Sequence, residues 1–431
     1  MPLPGTPRCS GDDRSHLCIH GRKGLTAMPV IRLKGRAISV KVRTIMLVAL
    51  CLVLLAVGAV GRVVTSREDH HSGSPMEPTS GIPDEPALSR PNAEALLKTA
   101  RDSLEASRRR DSSDDEYFFA NGIWETGRPL CIRCNIGPGV VAAALASSGA
   151  DRSLVKLAVQ TIDPAIKEYQ ARNGSLGPGA DDEEGPDIQT MTFATQLGMA
   201  LYAIGPQLDD NRRARWTEAL RGATEFLINN GNYAWYTNGN IALGNALVAA
   251  LTWRATGDDR YRAVYWDAIE FAQNPGDKWP GRGLVITKKP TSDSGADGAG
   301  YLTEARSGGR PGFDADYTQV QADMAAMTAL VTEDSRAVRL TNLLVNQLMP
   351  RVDQTRWLLN TSNGSRHTDR VRFVPFTTSA LTVLARRGRP DLAAVAGAQS
   401  KSSAAYVTSD RGEAAYKMWG YRLAPTIMAM R

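Results

Sequence analysis

Helical patterns follow one another along most of this chain, and they constrain its fold more than any other feature. Apolar residues recur three and four positions apart in several segments, for example at Leu243, Leu247 and Leu251, and this spacing is typical of helices. Strand patterns are weak and are confined to residues 283–288. At intervals of roughly 20 residues, predicted helices begin near Ala93, Val140, Leu154, Gln189, Arg212, Ile241, Tyr261, Tyr317, Ala337, Phe376 and Ala393.

Long polar segments rich in Gly, Asp and Ser separate these helices, at 174–187, 275–315 and 358–369. An open helical solenoid would show a clear sequence repeat, and this chain shows none. Closing the array into a ring buries both of its ends, so we predict an all-α fold, an (α/α) toroid built as an incomplete or six-hairpin barrel. The aspartates that precede helical patterns are expected N-caps: Asp210, Asp258, Asp334 and Asp391.

An uncharged apolar run at residues 45–61 precedes the predicted helical domain. With Val63 and Val64 it approaches the roughly 20 residues that span a bilayer. Basic residues before such a run place the N-terminus in the cytosol. The chain is therefore divided into a basic cytosolic tail (1–43), a transmembrane anchor or signal segment (44–64), a flexible linker (65–91) and an exported toroid domain (92–431).

The apolar run has a second interpretation, a signal peptide cleaved near residue 60. Signal h-regions are shorter, about 7–15 residues, and Arg62 follows the run at once, so an uncleaved anchor is favoured. Either way the toroid domain lies outside the cytosol, as part of a single-pass membrane protein or as a secreted one. The lipid bilayer is thus a predicted partner through residues 44–64.

The net charge of +6 is concentrated at the N-terminus, because residues 1–43 carry nine Lys or Arg and two Asp or Glu. Such a distribution argues against nucleic-acid binding by the exported domain. Its two cysteines, Cys131 and Cys134, have too few further metal ligands nearby for a zinc site, and a local disulfide is expected instead. Asp293 and Asp297 offer oxygen ligands for calcium, but their loop lacks EF-hand spacing. A plain turn is favoured there, and no cofactor is expected.

Aromatic and amide side chains cluster in the segment Tyr233-Ala-Trp-Tyr-Thr-Asn-Gly-Asn240. Trp235 and Tyr236 offer flat faces to sugar rings, and Asn238 and Asn240 offer hydrogen bonds to hydroxyls and carboxylates. This composition predicts a sugar-binding segment. The alternative is that one of the two asparagines caps the helix that follows.

A second polar cluster, Gly312-Phe-Asp-Ala-Asp-Tyr-Thr-Gln-Val-Gln321, ends a long loop and begins a helix. Tyr317 and Gln321 are spaced to share one helical face, and Asp314 and Asp316 precede them. These four side chains are candidate substrate ligands. The alternative is that Asp314 or Asp316 caps the helix while Tyr317 packs against the core.

The two clusters together resemble toroid polysaccharide lyases of the heparinase II/III type. In that group an Asn begins an inner helix rich in small residues, and a later Asp-Gly-Ser-Tyr/Phe-x-Gln-like segment begins another helix. The matching stretches are Thr237-Asn-Gly-Asn-Ile-Ala-Leu-Gly-Asn-Ala-Leu and Phe313-Asp-Ala-Asp-Tyr-Thr-Gln. Ala315-Asp316 stand where the family has Gly-Ser, and the family's Tyr and His after the Gln are absent here.

The resemblance implies β-elimination on a uronic-acid polysaccharide. Asn238 or Asn240 would bind the substrate carboxylate and stabilise the charge that develops on proton removal. Tyr317, or His367 in place of the missing family histidine, would take the C5 proton. A tyrosine has a pKa near 10 and needs a neighbouring cation to act as a base, for which Arg366 and Arg370 are candidates.

Two other functions remain open on the sequence. An inverting glycoside hydrolase on the same toroid needs two carboxylates, one from Asp314 or Asp316 and one from the acidic loop at 181–187. A membrane-anchored glycan-binding or envelope-assembly protein needs no catalytic group. Trp419 and Tyr421, among basic residues near the C-terminus, suit an acidic sugar chain and suit packing of the last helix equally well.

Overall fold

Helices form most of the described part of the chain. The computed structural model describes residues 117–120, 123–126, 136–149, 152–176, 185–306, 309–366, 372–408 and 423–429. The predicted cytosolic tail, transmembrane or signal segment, linker and first helix lie outside these ranges, as do Cys131 and Cys134. Within the described ranges, no helix combines the length and the apolar character needed to cross a bilayer.

Helix positions follow the sequence periodicity closely, since most predicted starts lie within a few residues of the observed ones. In chain order the helices are α1 (Gly137–Ser147), α2 (Leu154–Tyr169), α3 (Gly185–Ile204), α4 (Asp210–Asn229), α5 (Asn232–Trp235), α6 (Gly239–Thr256), α7 (Asp259–Gln273), α8 (Ala315–Thr332), α9 (Ser335–Leu348), α10 (Ala380–Arg386), α11 (Ala393–Thr408) and α12 (Leu423–Ala429).

Alternate helices close into an inner ring. In order around that ring, α1 contacts α3, α3 contacts α6, α6 contacts α8, α8 contacts α10, α10 contacts α12, and α12 returns to α1. The helices between them form an outer layer, in which α2, α4, α7, α9 and α11 pack against α1, α3, α6, α8 and α10 respectively. The described helices therefore form an (α/α) toroid, as predicted.

Small residues allow the inner helices to approach closely. A Cβ atom at Gly198 of α3 would lie 2.8 Å from the Cβ of Leu251 on α6, a distance that real Cβ atoms essentially never show. Inner helices are consequently buried on nearly all sides, and α8 buries every residue from Gln321 to Val331. The outer helices α2, α7 and α9 are amphipathic and bury one face only, which is the pattern expected of surface helices.

Short turns connect each inner helix to its outer partner at one end of the toroid, which we call the short-turn end. Asp209, Asp258 and Asp334 cap α4, α7 and α9, each accepting a backbone N–H bond of 2.8–2.9 Å. The predicted caps Asp258 and Asp334 are confirmed. Asp210 is not a cap, because it is already the first residue of α4 and Asp209 precedes it. Asp391 lies inside a 3₁₀ turn, Pro390–Leu392, that makes no side-chain cap bond.

Long connections lead from the outer helices back to the inner ones at the opposite end, which we call the long-loop end. Ahead of the described helices, β1 (Tyr117–Ala120) pairs antiparallel with β2 (Ile123–Thr126). Two of the long connections also contain short antiparallel strands: β3 (Leu284–Lys288) with β4 (Ala299–Leu302), and β5 (Val352–Asp353) with β6 (Leu358–Asn360) and β7 (Phe373–Pro375). The strand predicted at 283–288 is confirmed. The others were not predicted, because runs of two to four residues show no measurable alternation.

Candidate active site

Three chain segments meet at Thr303, directly after β4, at the long-loop end. The carbonyl of Thr303 accepts from the amide of Gly239 (3.1 Å). Its amide donates to the carbonyl of Gly283 (3.0 Å), and its hydroxyl accepts from the amide of Gly283 (3.1 Å). Gly239 is required by space: a Cβ there would collide with Leu302 and lie 2.7 Å from Nε2 of Gln321. The N-terminus of α6 is therefore fixed against the residue that precedes Glu304.

Glu304 is the centre of the candidate site, and its side chain is 0% exposed. Oε1 accepts from the backbone amide of Asn240 (2.8 Å) and from Nε2 of Gln321 (3.0 Å). Oε2 has no hydrogen-bond partner among the described residues and lies 3.6 Å from Nη1 of Arg366. Burial raises the pKa of Glu304 to about 7, although the two hydrogen bonds and Arg366 oppose the shift.

The backbone of Glu304 also joins two loops. Its amide and carbonyl both pair with Gly312 at 2.9 Å, and its carbonyl accepts from the Ser365 hydroxyl at 2.8 Å. Sequence reasoning missed Glu304. The available signal was an acidic residue placed directly after an apolar strand pattern, in Tyr301-Leu-Thr-Glu-Ala305.

Asp314, Tyr317 and Arg366 form the other side of this centre. Buried Asp314 caps α8 by accepting from the amide of Tyr317 (3.2 Å), and its second oxygen accepts from the amide of Arg366 (2.9 Å). The cap alternative therefore holds for Asp314. Asp316 lies in the first turn of α8, 3.7 Å from Nη1 of Arg372.

Tyr317 lies beside a cation, as a tyrosine base would require. The Arg366 guanidinium carbon is 4.1 Å from the centre of the Tyr317 ring. Burial nevertheless raises the pKa of Tyr317, and the opposing effect of Arg366 is smaller. The phenol is consequently protonated at neutral pH, and in that state it donates a proton.

Asn238 and Asn240 do not act as side-chain caps. Asn238 occupies the N-cap position of α6 without a side-chain cap bond. Its Oδ1 instead accepts from Nη1 of Arg282 (3.3 Å), and its Nδ2 lies 3.5 Å from the carbonyl of Ala305. Asn240 is inside α6, and its buried Oδ1 has no hydrogen-bond partner. The capping alternative is thus wrong for both side chains.

The aromatic pair lies just before this centre in the chain. Trp235 is 57% exposed, and its ring meets that of Tyr236 edge-on, with centroids 4.8 Å apart. The Tyr236 hydroxyl donates to Asp187, in the first turn of α3. Burial, followed by this contact with Asp187, raises the pKa of Tyr236. One residue of the predicted acidic loop is therefore joined to the aromatic segment.

The structure brings together most of the described candidates. Asn240 and Gln321 bind Glu304 directly, and Asp314 and Tyr317 reach it through Arg366. Asn238 is adjacent through the backbone of Gly239. Trp235, Tyr236 and Asp316 are described, but no hydrogen bond or ion pair joins them to Glu304 among the described residues. Other candidates lie outside the described residues: His367, Arg370, Trp419, Tyr421 and the acidic residues at 181–184.

The carboxylate oxygens of Asp297, the proposed calcium ligand, already accept hydrogen bonds from residues of the same loop. Its carboxylate accepts from the amide and hydroxyl of Thr291 and from those of Ser292. These hydrogen bonds, led by the Thr291 hydroxyl, lower the pKa of Asp297. Among the described residues, no group of three or more His, Cys, Asp or Glu is placed to hold a metal ion.

No protein-family model matches the chain, and no curated protein matches its sequence. Solved structures do align with it. A D-mannose isomerase aligns with a TM-score of 0.51 at 10% identity, covering 80% of this chain and 99% of that one. An unsaturated glucuronyl hydrolase from Streptococcus agalactiae aligns with a TM-score of 0.44 at 12% identity, covering 72% and 77% of the two chains.

A β-1,3-1,4-glucanase from Paenibacillus sp. X4 aligns with a TM-score of 0.45 at 13% identity, covering 79% of this chain and 93% of that one. At these identities the isomerase alignment shows a shared fold and nothing about activity. The resemblance to heparinase-type lyases is not supported by these comparisons.

Proposed function

We propose that the protein is a carbohydrate-active enzyme that cleaves a polysaccharide at the long-loop end of the toroid. One observation carries this proposal: a buried carboxyl group with a pKa of about 7, Glu304, lies between the Asn-rich start of α6 and the Tyr317–Arg366 pair. A pKa near the working pH is what general acid–base catalysis requires.

Glu304 is suited to proton transfer in both directions. Near neutral pH its protonated and ionised forms are present in comparable amounts. Because the side chain is fully buried, a substrate can contact it only after neighbouring groups move. Arg366, whose Nη1 lies 3.6 Å from Oε2, is one of these neighbours.

Sugar binding is supported by groups on the chain segments that lead into this centre. The exposed ring of Trp235 offers a stacking face, and Tyr236 orients that ring from its anchor on Asp187. Asn238 and Asp316 lie half-buried beside Glu304 and Tyr317 and offer amide and carboxylate groups to sugar hydroxyls.

The mechanism we propose is β-elimination on a uronic-acid glycan. Asn238 hydrogen-bonds the substrate carboxylate, and ionised Glu304 takes the C5 proton. Tyr317 protonates the departing glycosidic oxygen as the C4–O bond breaks and the C4=C5 double bond forms. His367, adjacent to Arg366 in sequence, is a second candidate base. One observation favours elimination over hydrolysis: both oxygens of Asp314 already accept backbone N–H bonds, which makes Asp314 a poor second carboxylate.

Inverting hydrolysis is the second candidate, and the raised pKa of Glu304 favours it. A carboxyl group protonated near pH 7 is also suited to donate a proton to a glycosidic oxygen. Asp187 and Asp316 are then the candidates for the base that activates water. The two reactions differ in their products, because elimination alone leaves an unsaturated uronic end that absorbs ultraviolet light.

The location proposed for this activity rests on the sequence. We infer that residues 44–64 hold the protein at the membrane, or direct its secretion if cleavage occurs near residue 60. The substrate is then an extracellular or cell-envelope polysaccharide. Membrane fractionation tests this, since wholly soluble cytosolic protein would contradict it.

The experiment that tests the proposed function compares the wild-type chain with Glu304→Gln on polygalacturonate, hyaluronan and a neutral β-glucan. Ultraviolet absorbance reports elimination, and new reducing ends without absorbance report hydrolysis. We expect Glu304→Gln to lower turnover by on the order of 10²–10⁴-fold. Asp353→Asn is the matched control, since Asp353 is a carboxylate of the same end that pairs with Arg356 on the surface.

Full turnover by Glu304→Gln would remove Glu304 from the chemistry. Glycan binding by the wild-type chain without any cleavage would favour the glycan-binding or envelope-assembly role instead.

A further inference from the structure

Arg282, unlike Arg366 and Arg372 at the same end, has no carboxylate partner among the described residues. Arg366 faces Glu304, and Arg372 faces Asp316. Half-buried Arg282 donates from Nη1 to Oδ1 of Asn238 at 3.3 Å, and no carboxylate of the described residues lies within 4 Å of it. A partly desolvated guanidinium group without a counter-ion has a strong preference for an anion.

The backbone on both sides holds Arg282 in place. Gly281 and Gly283 have φ of 71° and 97°, values that side-chain-bearing residues rarely adopt. A Cβ at Gly283 would also lie 2.7 Å from Cδ of Pro275. Gly283 pairs with Thr303 through backbone and hydroxyl hydrogen bonds. Because Thr303 precedes Glu304, the backbone beside Arg282 is fixed against the segment that carries Glu304, and the side chain is directed to Asn238.

The Arg282–Asn238 pair has the chemistry of an anion receptor. A guanidinium group carries five N–H donors in a planar fork that fits carboxylate or sulfate oxygens in pairs. Among the residues that the structure describes, one bond of this fork is used, to Asn238. That bond also leaves the amide group of Asn238 oriented, so its Nδ2 is directed away from Arg282 and toward the Ala305 side of the site.

We propose that Arg282 is the residue that determines specificity for acidic glycans, by binding the anionic group of a sugar held over Glu304 and Tyr317. Asn238 positions the guanidinium group and shares the anion with it. This inference rests on the proposed function and adds the residue that recognises the acidic group of the substrate. Carboxylate and sulfate share the recognising chemistry, and the experiment distinguishes them.

The test measures retention of the full chain by affinity electrophoresis in polygalacturonate, in its carboxyl-reduced form, and in dextran sulfate. Initial rates are added wherever cleavage is seen. We expect Arg282→Gln to weaken binding to polygalacturonate by about 10- to 100-fold, the loss typical of a hydrogen-bonded ion pair. Binding to the carboxyl-reduced polymer should not change. A parallel loss on dextran sulfate would assign sulfate recognition as well.

Arg356→Gln is the matched control, because it removes one positive charge from the same end at a residue already paired with Asp353. Arg282→Lys keeps the charge and should recover only part of the affinity, because an ammonium group cannot form the planar fork. Comparable thermal unfolding of all variants excludes a folding defect.

An equal loss of polygalacturonate affinity in Arg282→Gln and Arg356→Gln would overturn the inference. A wild-type chain that is retained by neither polygalacturonate nor dextran sulfate would also overturn it. Unchanged polygalacturonate binding in Arg282→Gln, alongside inactive Glu304→Gln, would overturn this inference and leave the proposed function standing. Activity retained by Glu304→Gln would overturn the proposed function independently of Arg282.

Discussion

The two ends of the toroid differ in which residues form hydrogen bonds with the helix termini. At the short-turn end, Asp209, Asp258 and Asp334 satisfy helix termini through side-chain caps within two or three residues. At the long-loop end, Asn238 leaves the cap of α6 unmade, and Glu304 supplies the bond to that helix from 64 residues away. The described caps of the short-turn end are therefore local, whereas the long-loop end, besides the local Asp314 cap of α8, brings distant polar groups together around one carboxyl group.

Two acidic residues show the consequence of this difference. For Asp334, burial raises the pKa, but hydrogen bonds from Arg336 and Tyr265 outweigh burial and leave the pKa lowered. For Glu304, burial dominates, one oxygen has no hydrogen-bond partner, and the pKa rises to about 7. The Asp334 carboxylate is thus ionised at neutral pH, whereas the Glu304 carboxyl group titrates near neutral pH.

The largest expected effect is a loss of turnover, and it should be seen for a tyrosine of the long-loop end but not for one of the short-turn end. Tyr317→Phe removes the proposed proton donor, and turnover should fall by on the order of 10²–10⁴-fold with little change in thermal stability. Tyr265→Phe removes the 2.7 Å hydrogen bond to Asp334, and should lower the unfolding free energy by about 1.5–3 kcal/mol without altering turnover. Steady-state rates and chemical denaturation measure the two outcomes.

Equal effects of Tyr317→Phe and Tyr265→Phe on turnover and on unfolding free energy would contradict the difference between the two ends. Full activity of Tyr317→Phe would exclude Tyr317 from the mechanism.

The next effect is on the pH dependence of stability. The folded-state pKa of Glu304, about 7, lies above its ordinary value of 4.5, so the folded protein binds the extra proton. The stability linked to that proton is fully present below pH 4.5 and is lost as pH rises through 7. Relative to Glu304→Gln, wild-type unfolding free energy should therefore fall by about 3 kcal/mol between pH 4.5 and 8.

Denaturant titrations of both proteins across this range measure the difference. Parallel curves for the wild type and Glu304→Gln would show that Glu304 carries no raised pKa. Asp334→Asn, at the short-turn end, should give a difference of the opposite sign, because its folded-state pKa is lowered.

A smaller effect distinguishes the two glycines that bracket α6. Gly239→Ala should cost about 1–3 kcal/mol through overpacking, because its Cβ would meet Leu302 and Gln321, and should also reduce turnover by displacing Asn238. Gly257→Ala should cost about 1–2 kcal/mol through its left-handed φ of 71°, with no neighbour nearby and no effect on turnover. Melting curves and rates give the comparison, and normal turnover in Gly239→Ala would contradict it.

The smallest effect concerns Arg366. Its positive charge lowers the pKa of Glu304, so Arg366→Gln should move the Glu304-dependent limb of the pH–rate profile to higher pH. Arg336→Gln, which removes the corresponding charge beside Asp334, should leave the profile in place. A shift to lower pH in Arg366→Gln would mean that Arg366 does not stabilise ionised Glu304.

Local patterns explain why the helices were predictable. Leu154 and Ala393 begin α2 and α11 as expected, and the other described starts shift by a few residues only, because apolar periodicity is set within each helix. The short strands β4 to β7 form by pairing across loops, and such pairing leaves no signal in two to four residues. The Asn238 and Tyr317 segments were found because each concentrates several functional groups.

Glu304 escaped prediction for the same physical reason. It is a single acidic residue in a mixed loop, and its burial depends on Asn240, Gln321 and Arg366, which lie 17 to 64 residues away in sequence. The cap roles were mixed in outcome: Asp314 caps α8, but Asn238 uses its side chain for Arg282 instead. Local and long-range hydrogen-bond partners compete for each of these side chains. Sequence spacing can predict only the local partners.

The titration of Glu304 decides whether the long-loop end holds a carboxyl group with a raised pKa, and it requires no knowledge of the substrate. Carbon-13 NMR of protein labelled at the glutamate carboxyl carbon, with the Glu304 signal assigned by its loss in Glu304→Gln, follows that one group. We expect the midpoint of the Glu304 titration near pH 7 and at higher pH in Arg366→Gln. A midpoint at the ordinary value near 4.5 would mean that the long-loop end holds no proton-transferring carboxyl, and the proposed enzyme site would be contradicted.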